Sequence, residues 1–112
     1  MAEIVGTGMW LAGGGRGFDI LGAEHGVATS LILTDMAPGT GPRLHTHPYA
    51  EIWVVIEGSA DFTAGDSLIP AAAGDVVYVE PGLPHKFVVT GNRPIRMVCI
   101  HEADQFETKW LE

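Results

Sequence analysis

The chain has 112 residues, of which 46% are apolar, enough for one packed domain (1–112) with no room for a second. Fourteen acidic against six basic residues give a formal charge of -8, which argues against nucleic acid and anionic membrane surfaces as partners, since both call for a basic patch. A single cysteine, Cys99, excludes an internal disulfide.

In chain order, Met1, Ala2 and Glu3 form no basic n-region and no long apolar run follows, so neither a signal peptide nor a membrane span is expected and cytoplasm is the default. Residues 12–17 resemble a phosphate loop superficially, but the Gly-Lys-Ser/Thr ending and the following helix are missing, so a plain turn is expected. From there on, glycines and prolines punctuate short apolar stretches. Strands are predicted over 18–21, 28–36, 43–47, 52–57, 60–64, 67–69, 76–80, 85–89 and 95–101. Gly58 and Ser59 read as a hairpin turn, and Pro81 with Gly82 fits the two central positions of a type II turn. No stretch keeps a helical period over ten residues or more, so long helices are not expected. That many short strands point to an all-β sandwich or barrel, because only closure or a second sheet covers their apolar faces.

Four residues carry the chemistry. His45 and His47 lie two apart, so on a strand both project from one face. Pro48 interrupts that strand, and Glu51 opens the next apolar stretch, so its carboxylate can return to the same pocket. His85 follows the Pro81-Gly82 turn and Pro84, at the start of a further strand. Three imidazoles and one carboxylate suit a single divalent Mn, Fe, Co, Ni, Cu or Zn better than Ca or Mg, which prefer oxygen shells. A buried glutamate beside imidazoles is costly unless paired, and a metal pairs it well.

These residues sit in a wider pattern. Gly39, His45, His47, Glu51 and Gly58 fit G-x5-HxH-x3,4-E-x6-G over residues 39–58, and Gly74, Gly82 and His85 fit most of G-x5-P-x-G-x2-H-x3-N over 74–89. The chain thereby resembles a small single-domain cupin over residues 28–101. Two positions depart: Glu80 stands where the second motif has proline, and Val89 replaces its asparagine, removing a polar group near the site. The resemblance implies a cupin-type β-barrel (a double-stranded β-helix or jelly roll), a metal held by His45, His47, Glu51 and His85, and a homodimer.

Other side chains are weighed against plainer roles. Arg43 shares parity with the two histidines and would hold a substrate carboxylate if it pointed inward, but Pro42 beside it favours a surface or dimer salt bridge. Tyr49 could donate a hydrogen bond to a metal-bound species. Trp53 and Val55 share parity with Glu51 and are expected to line the barrel. His101, next to Glu102, reads as a surface residue, and Glu80 as an exposed strand end. Cys99 reads as a small buried apolar residue. Phe106, Trp110 and Leu111 are expected to pack back on the barrel or across a dimer contact.

A four-ligand centre leaves one or two coordination positions open on a five- or six-coordinate ion, which suits catalysis. The foremost expectation is a metal-dependent oxidoreductase of dioxygenase type acting on a small chelating molecule. The alternatives are a non-redox isomerase, lyase or cyclase, which needs an acid or base such as Tyr49 or His101, and a non-enzymatic ligand-binding module. One scaffold hosts all three.

Overall fold

The computed structural model describes residues 17–112; the N-terminal reading and all of the glycine-rich stretch but Gly17 lie outside them. Ten strands follow in chain order: β1 Phe18–Ile20, β2 Ser30–Met36, β3 His45–Thr46, β4 Glu51–Glu57, β5 Ser59–Ala64, β6 Ser67–Ala72, β7 Val76–Val79, β8 His85–Thr90, β9 Ile95–His101 and β10 Lys109–Trp110. They form two five-stranded antiparallel sheets, ordered β1-β2-β9-β4-β7 and β10-β3-β8-β5-β6. This is the expected all-β jelly roll. One 3-10 turn, Gly22–Glu24, is the single helical element among the described residues, and no described helix is long and apolar enough to cross a membrane.

Strict alternation builds the core. Strand β4 turns Glu51, Trp53 and Val55 inward, β5 Ala60, Phe62 and Ala64, β8 His85, Phe87 and Val89, and β9 Ile95, Met97, Cys99 and His101. The Trp53, Phe62 and Phe87 rings pack together, with centroids 4.6 Å (Trp53–Phe62) and 5.3 Å (Phe62–Phe87) apart. Val89 is buried in this core, so the position that carries asparagine in the motif serves apolar packing here. Its N–H donates to the Thr40 carbonyl, and its carbonyl accepts from the Gly39 N–H. The approach of that segment to β8 requires Gly41, where a Cβ would fall 1.8 Å from the Phe87 carbonyl oxygen.

Three expectations are corrected. Gly58 and Ser59 are not a hairpin: β4 pairs with β7 and β9, β5 with β6 and β8, and Gly58 at φ +79° turns the chain from one sheet into the other. The strand predicted over 43–47 is ordered as β3 at His45–Thr46 only. Strand β6 runs on through Pro70 to Ala72, which the missing proline N–H permits because β6 is an edge strand. The short β10 was not predicted.

Candidate metal centre

Both sheets supply the cluster. His45 on β3 lies directly opposite His85 on β8, and Glu51 on β4 lies opposite His101 on β9. His47 comes from the connection after β3, and its carbonyl accepts the Gly82 N–H at 2.8 Å. Gly82 has φ +78° and the Leu83 N–H returns to the Glu80 carbonyl at 3.3 Å, so the Pro81-Gly82 turn forms where expected and sets the entry to His85. His45, His47, Glu51 and His85 are all buried and offer ligand atoms within 4.8 Å of one another.

The backbone fixes which nitrogen each imidazole offers. Nδ1 of His45 lies 2.6 Å from the Arg43 carbonyl, that of His47 2.8 Å from the Glu107 carbonyl, and that of His85 2.8 Å from the Leu83 carbonyl. A carbonyl only accepts, so each Nδ1 carries the proton and each neutral ring offers an Nε2 lone pair. Thr108 Oγ1 adds a contact of 3.3 Å to His47 Nδ1.

Glu51 divides its two oxygens. Oε2 accepts from Trp53 Nε1 at 2.7 Å and lies 3.1 Å from His101 Nε2. Oε1 lies 3.3 Å from His47 Nε2 and 3.2 Å from His85 Nε2. Oε1 and His85 Nε2 are buried with no hydrogen-bond partner. Buried acceptors facing one another without a donor are costly, and a cation between them removes the cost. Two ligands at right angles, each about 2.1 Å from a first-row ion, stand about 3.0 Å apart, close to these separations. The donor set fits a divalent transition ion.

The same contacts set the charges. Burial would raise the Glu51 carboxyl, but His101, His47 and His85 outweigh it and hold it well below the usual carboxylate range. Burial also pulls His47 down, yet the Glu51 carboxylate and the Glu107 carbonyl leave it raised overall. His45 is lowered, chiefly by burial and further by His85 and His47, despite its bond to the Arg43 carbonyl. A proton on His47 and a divalent cation therefore compete for Glu51 Oε1.

A cavity of about 330 Å³ opens onto this cluster. Its walls include Ile32, Met36, Phe87, Phe106 and Trp110, with Thr34, Cys99, His101 and Thr108 as further lining groups. Trp53 lines it as expected, whereas Val55 is buried in the core. Burial pushes the Cys99 thiol up, which keeps it protonated and inert. Of the C-terminal apolar residues, Phe106 packs back on the barrel, 5.0 Å from the His101 ring, and Trp110 lays one side 5.0 Å from the His45 ring, centroid to centroid, but stays 51% exposed, and Leu111 is exposed.

One side chain differs from the sequence reading, and for another the structure decides between the two readings weighed. His101 is not on the surface but 2% exposed, because it continues the inward parity of Ile95, Met97 and Cys99. That parity was the signal available in the sequence. Arg43 is exposed, as Pro42 beside it favoured, and does not line the cavity as an inward position would require, because the regular strand begins only at His45; its guanidinium lies 4.9 Å from the Trp110 ring centroid. Tyr49 is half-buried, with its hydroxyl 2.7 Å from His101 Nδ1, so it reaches the centre through that ring. Burial raises its phenol. Glu80 is exposed, as expected.

A family model described as a cupin domain matches residues 32–101. A mutant form of oxalate decarboxylase OxdC from Bacillus subtilis superimposes with a TM-score of 0.78 at 25% identity, over 88% of this chain and 28% of that one. That enzyme has Mn(II) centres. A Klebsiella pneumoniae protein with a double-stranded β-helix domain superimposes with a TM-score of 0.69 at 24% identity over 76% of each chain, a likeness of fold. Protein MJ1618 of Methanocaldococcus jannaschii is 32% identical over 75 residues, which are 66% of this chain and 60% of that protein. The chain thus spans less than two thirds of MJ1618 and little more than a quarter of OxdC.

Proposed function

The chain belongs to the cupin family, and we propose that His45, His47, Glu51 and His85 hold one divalent transition metal in it, with Glu51 binding through Oε1. The function supported best is a metal-dependent oxidoreductase of dioxygenase type acting on a small chelating molecule. One observation carries this reading: buried, unpartnered Glu51 Oε1 faces buried, unpartnered His85 Nε2 at 3.2 Å, and Glu51, His45 and His47 line a cavity whose other walls are largely apolar. When bound, a redox-active ion would supply sites for a chelating substrate and for dioxygen activation. The chain's own residues orient and shelter that chemistry. Carbonyls of Arg43, Glu107 and Leu83 aim the three imidazoles, Trp53 holds Glu51 Oε2, and Phe87, Phe106 and Trp110 give the cavity apolar wall. The Mn(II) centres of OxdC make Mn the first ion to try.

A second reading, a non-redox lyase or isomerase, is favoured by the bond of 2.7 Å between Tyr49 and His101, which places an acid–base pair beside the cluster. Oxygen-uptake assays on Mn- and Fe-loaded protein with enols, diols and thiols separate the two. Oxygen consumption matched to substrate loss is expected; substrate loss without it would establish the second reading, and binding without turnover would leave a ligand-capture module.

We also infer a homodimer. On the outer face of the β1-β2-β9-β4-β7 sheet, Phe18, Leu33, Val98, Val54 and Val76 form one cross-strand row, and Ile20, Leu31, Ile100, Ile52 and Tyr78 a second. Val76 and Tyr78 are 64% and 62% exposed. Two adjoining apolar rows on an outer sheet face are the kind of surface a second copy covers.

A further inference from the structure

The cavity itself restricts what can bind. Among the described residues none that lines it is lysine or arginine, and Glu51 is the one carboxylate. Ile32, Met36, Phe87, Phe106 and Trp110 supply apolar wall. The nearby cation, Arg43, is exposed outside that lining, against Trp110. A divalent ion with one carboxylate and three neutral imidazoles leaves the centre singly positive. One anionic oxygen group on the ligand therefore brings the site to neutrality. A second carboxylate would leave it negative, against hydrocarbon and with no cation to pair with among the described lining residues.

Size and hydrogen bonding narrow the class further. At about 330 Å³ the space is roughly twice the 150 Å³ or so of an apolar cavity that holds benzene, so it takes one ring with short substituents or a branched chain of similar bulk. His101 lines the cavity, and its Nε2 is buried, lies 3.1 Å from Glu51 Oε2 and completes no hydrogen bond. It offers a second polar contact beside Glu51, suited to an oxygen adjacent to the one a bound metal would hold.

From these features we infer that the site takes a compact, mainly apolar monoanion with two adjacent oxygens, such as a cyclic hydroxyketone or an enol, and rejects dicarboxylates. This rests on the metal-binding reading given above. It also separates this chain from the activity named for OxdC, whose substrate, oxalate, is a dicarboxylate.

The test uses the full chain loaded with Mn(II), its metal content fixed by elemental analysis before and after titration. Tropolone, a ring with adjacent oxygens and one acidic proton, is compared with oxalate by calorimetry and by the Mn(II) electron paramagnetic resonance signal. Tropolone is expected to bind more than about tenfold tighter than oxalate, with a changed signal and no loss of metal. The variant Met36→Arg, which adds a cation to the wall, should raise oxalate affinity by about tenfold or more. Equal or tighter binding of oxalate to the unmodified chain would overturn the inference while the metal reading stands, as would tropolone binding with no change in the Mn(II) signal. Failure of the chain to retain a divalent ion would instead overturn the metal reading, and the inference with it. The unmodified chain alone decides the matter if Met36→Arg does not fold.

Discussion

The two oxygens of Glu51 meet different chemistry, and the difference traces to single neighbours. Trp53 donates to Oε2 and His101 approaches the same atom, so Oε1 is left facing His47 and His85. Trp53→Phe removes that donor and frees the carboxylate to rotate. Metal affinity is then expected to fall about 10- to 100-fold, the usual cost of losing a group that orients a ligand, as measured by competition with a chromophoric chelator. Unchanged affinity would show that packing alone holds Glu51. At this scale the sequence was partly readable. The spacing of His45, His47, Glu51 and His85 announced the cluster because alternation and turn chemistry are local. His101 was misplaced because its neighbour Glu102 was weighed above the inward parity of β9. Its convergence on Glu51 depends on β4–β9 pairing, a long-range register that spacing does not contain.

The last strand shows how an element far along the chain completes the site. Strand β10 pairs with β3, and the segment around it delivers the Glu107 carbonyl to His47, Phe106 to His101 and Trp110 to His45. Removing residues 106–112 should lower metal affinity about 10- to 100-fold while β2, β4, β5, β8 and β9 stay folded. Circular dichroism and metal titration read the two effects separately, and a truncated chain with full affinity would refute this role. This element escaped the sequence reading because two strand residues leave no periodic signal. Gly58 was recognised as a turn but not as a corner between sheets, since a positive φ serves either geometry and the partners of β4 and β5 are distant in sequence. Arg43 marks the limit of alternation: parity alone would turn it inward, but the strand begins two residues later, and the surface position that Pro42 favoured is the one found.

For the whole molecule, the centre couples proton and metal binding to the fold. His47 has a raised pKa, so in the metal-free protein its proton stabilises the fold fully below the unfolded value near 6.5, and that contribution is lost as pH rises through the raised value. Metal binding runs the other way, because the ion must displace this proton. Affinity is expected to rise with pH until it passes the raised His47 value, above 6.5, and to level off there. A profile that is flat from pH 5 to 8 would contradict His47 as a ligand. The apolar outer sheet face belongs to this scale too. Tyr78→Glu, at a 62% exposed position, should convert a dimer to a monomer in light scattering without loss of metal. A monomeric unmodified chain, or a variant that remains dimeric, would remove that interface.

The most direct measurement is the metal content of the purified, reconstituted chain beside its His85→Ala variant. About one divalent transition ion per chain, lost in the variant, is expected, because His85 Nε2 is an unpaired buried atom facing Glu51. Equal content in both proteins, or none in either, would contradict the metal centre on which the proposed function rests.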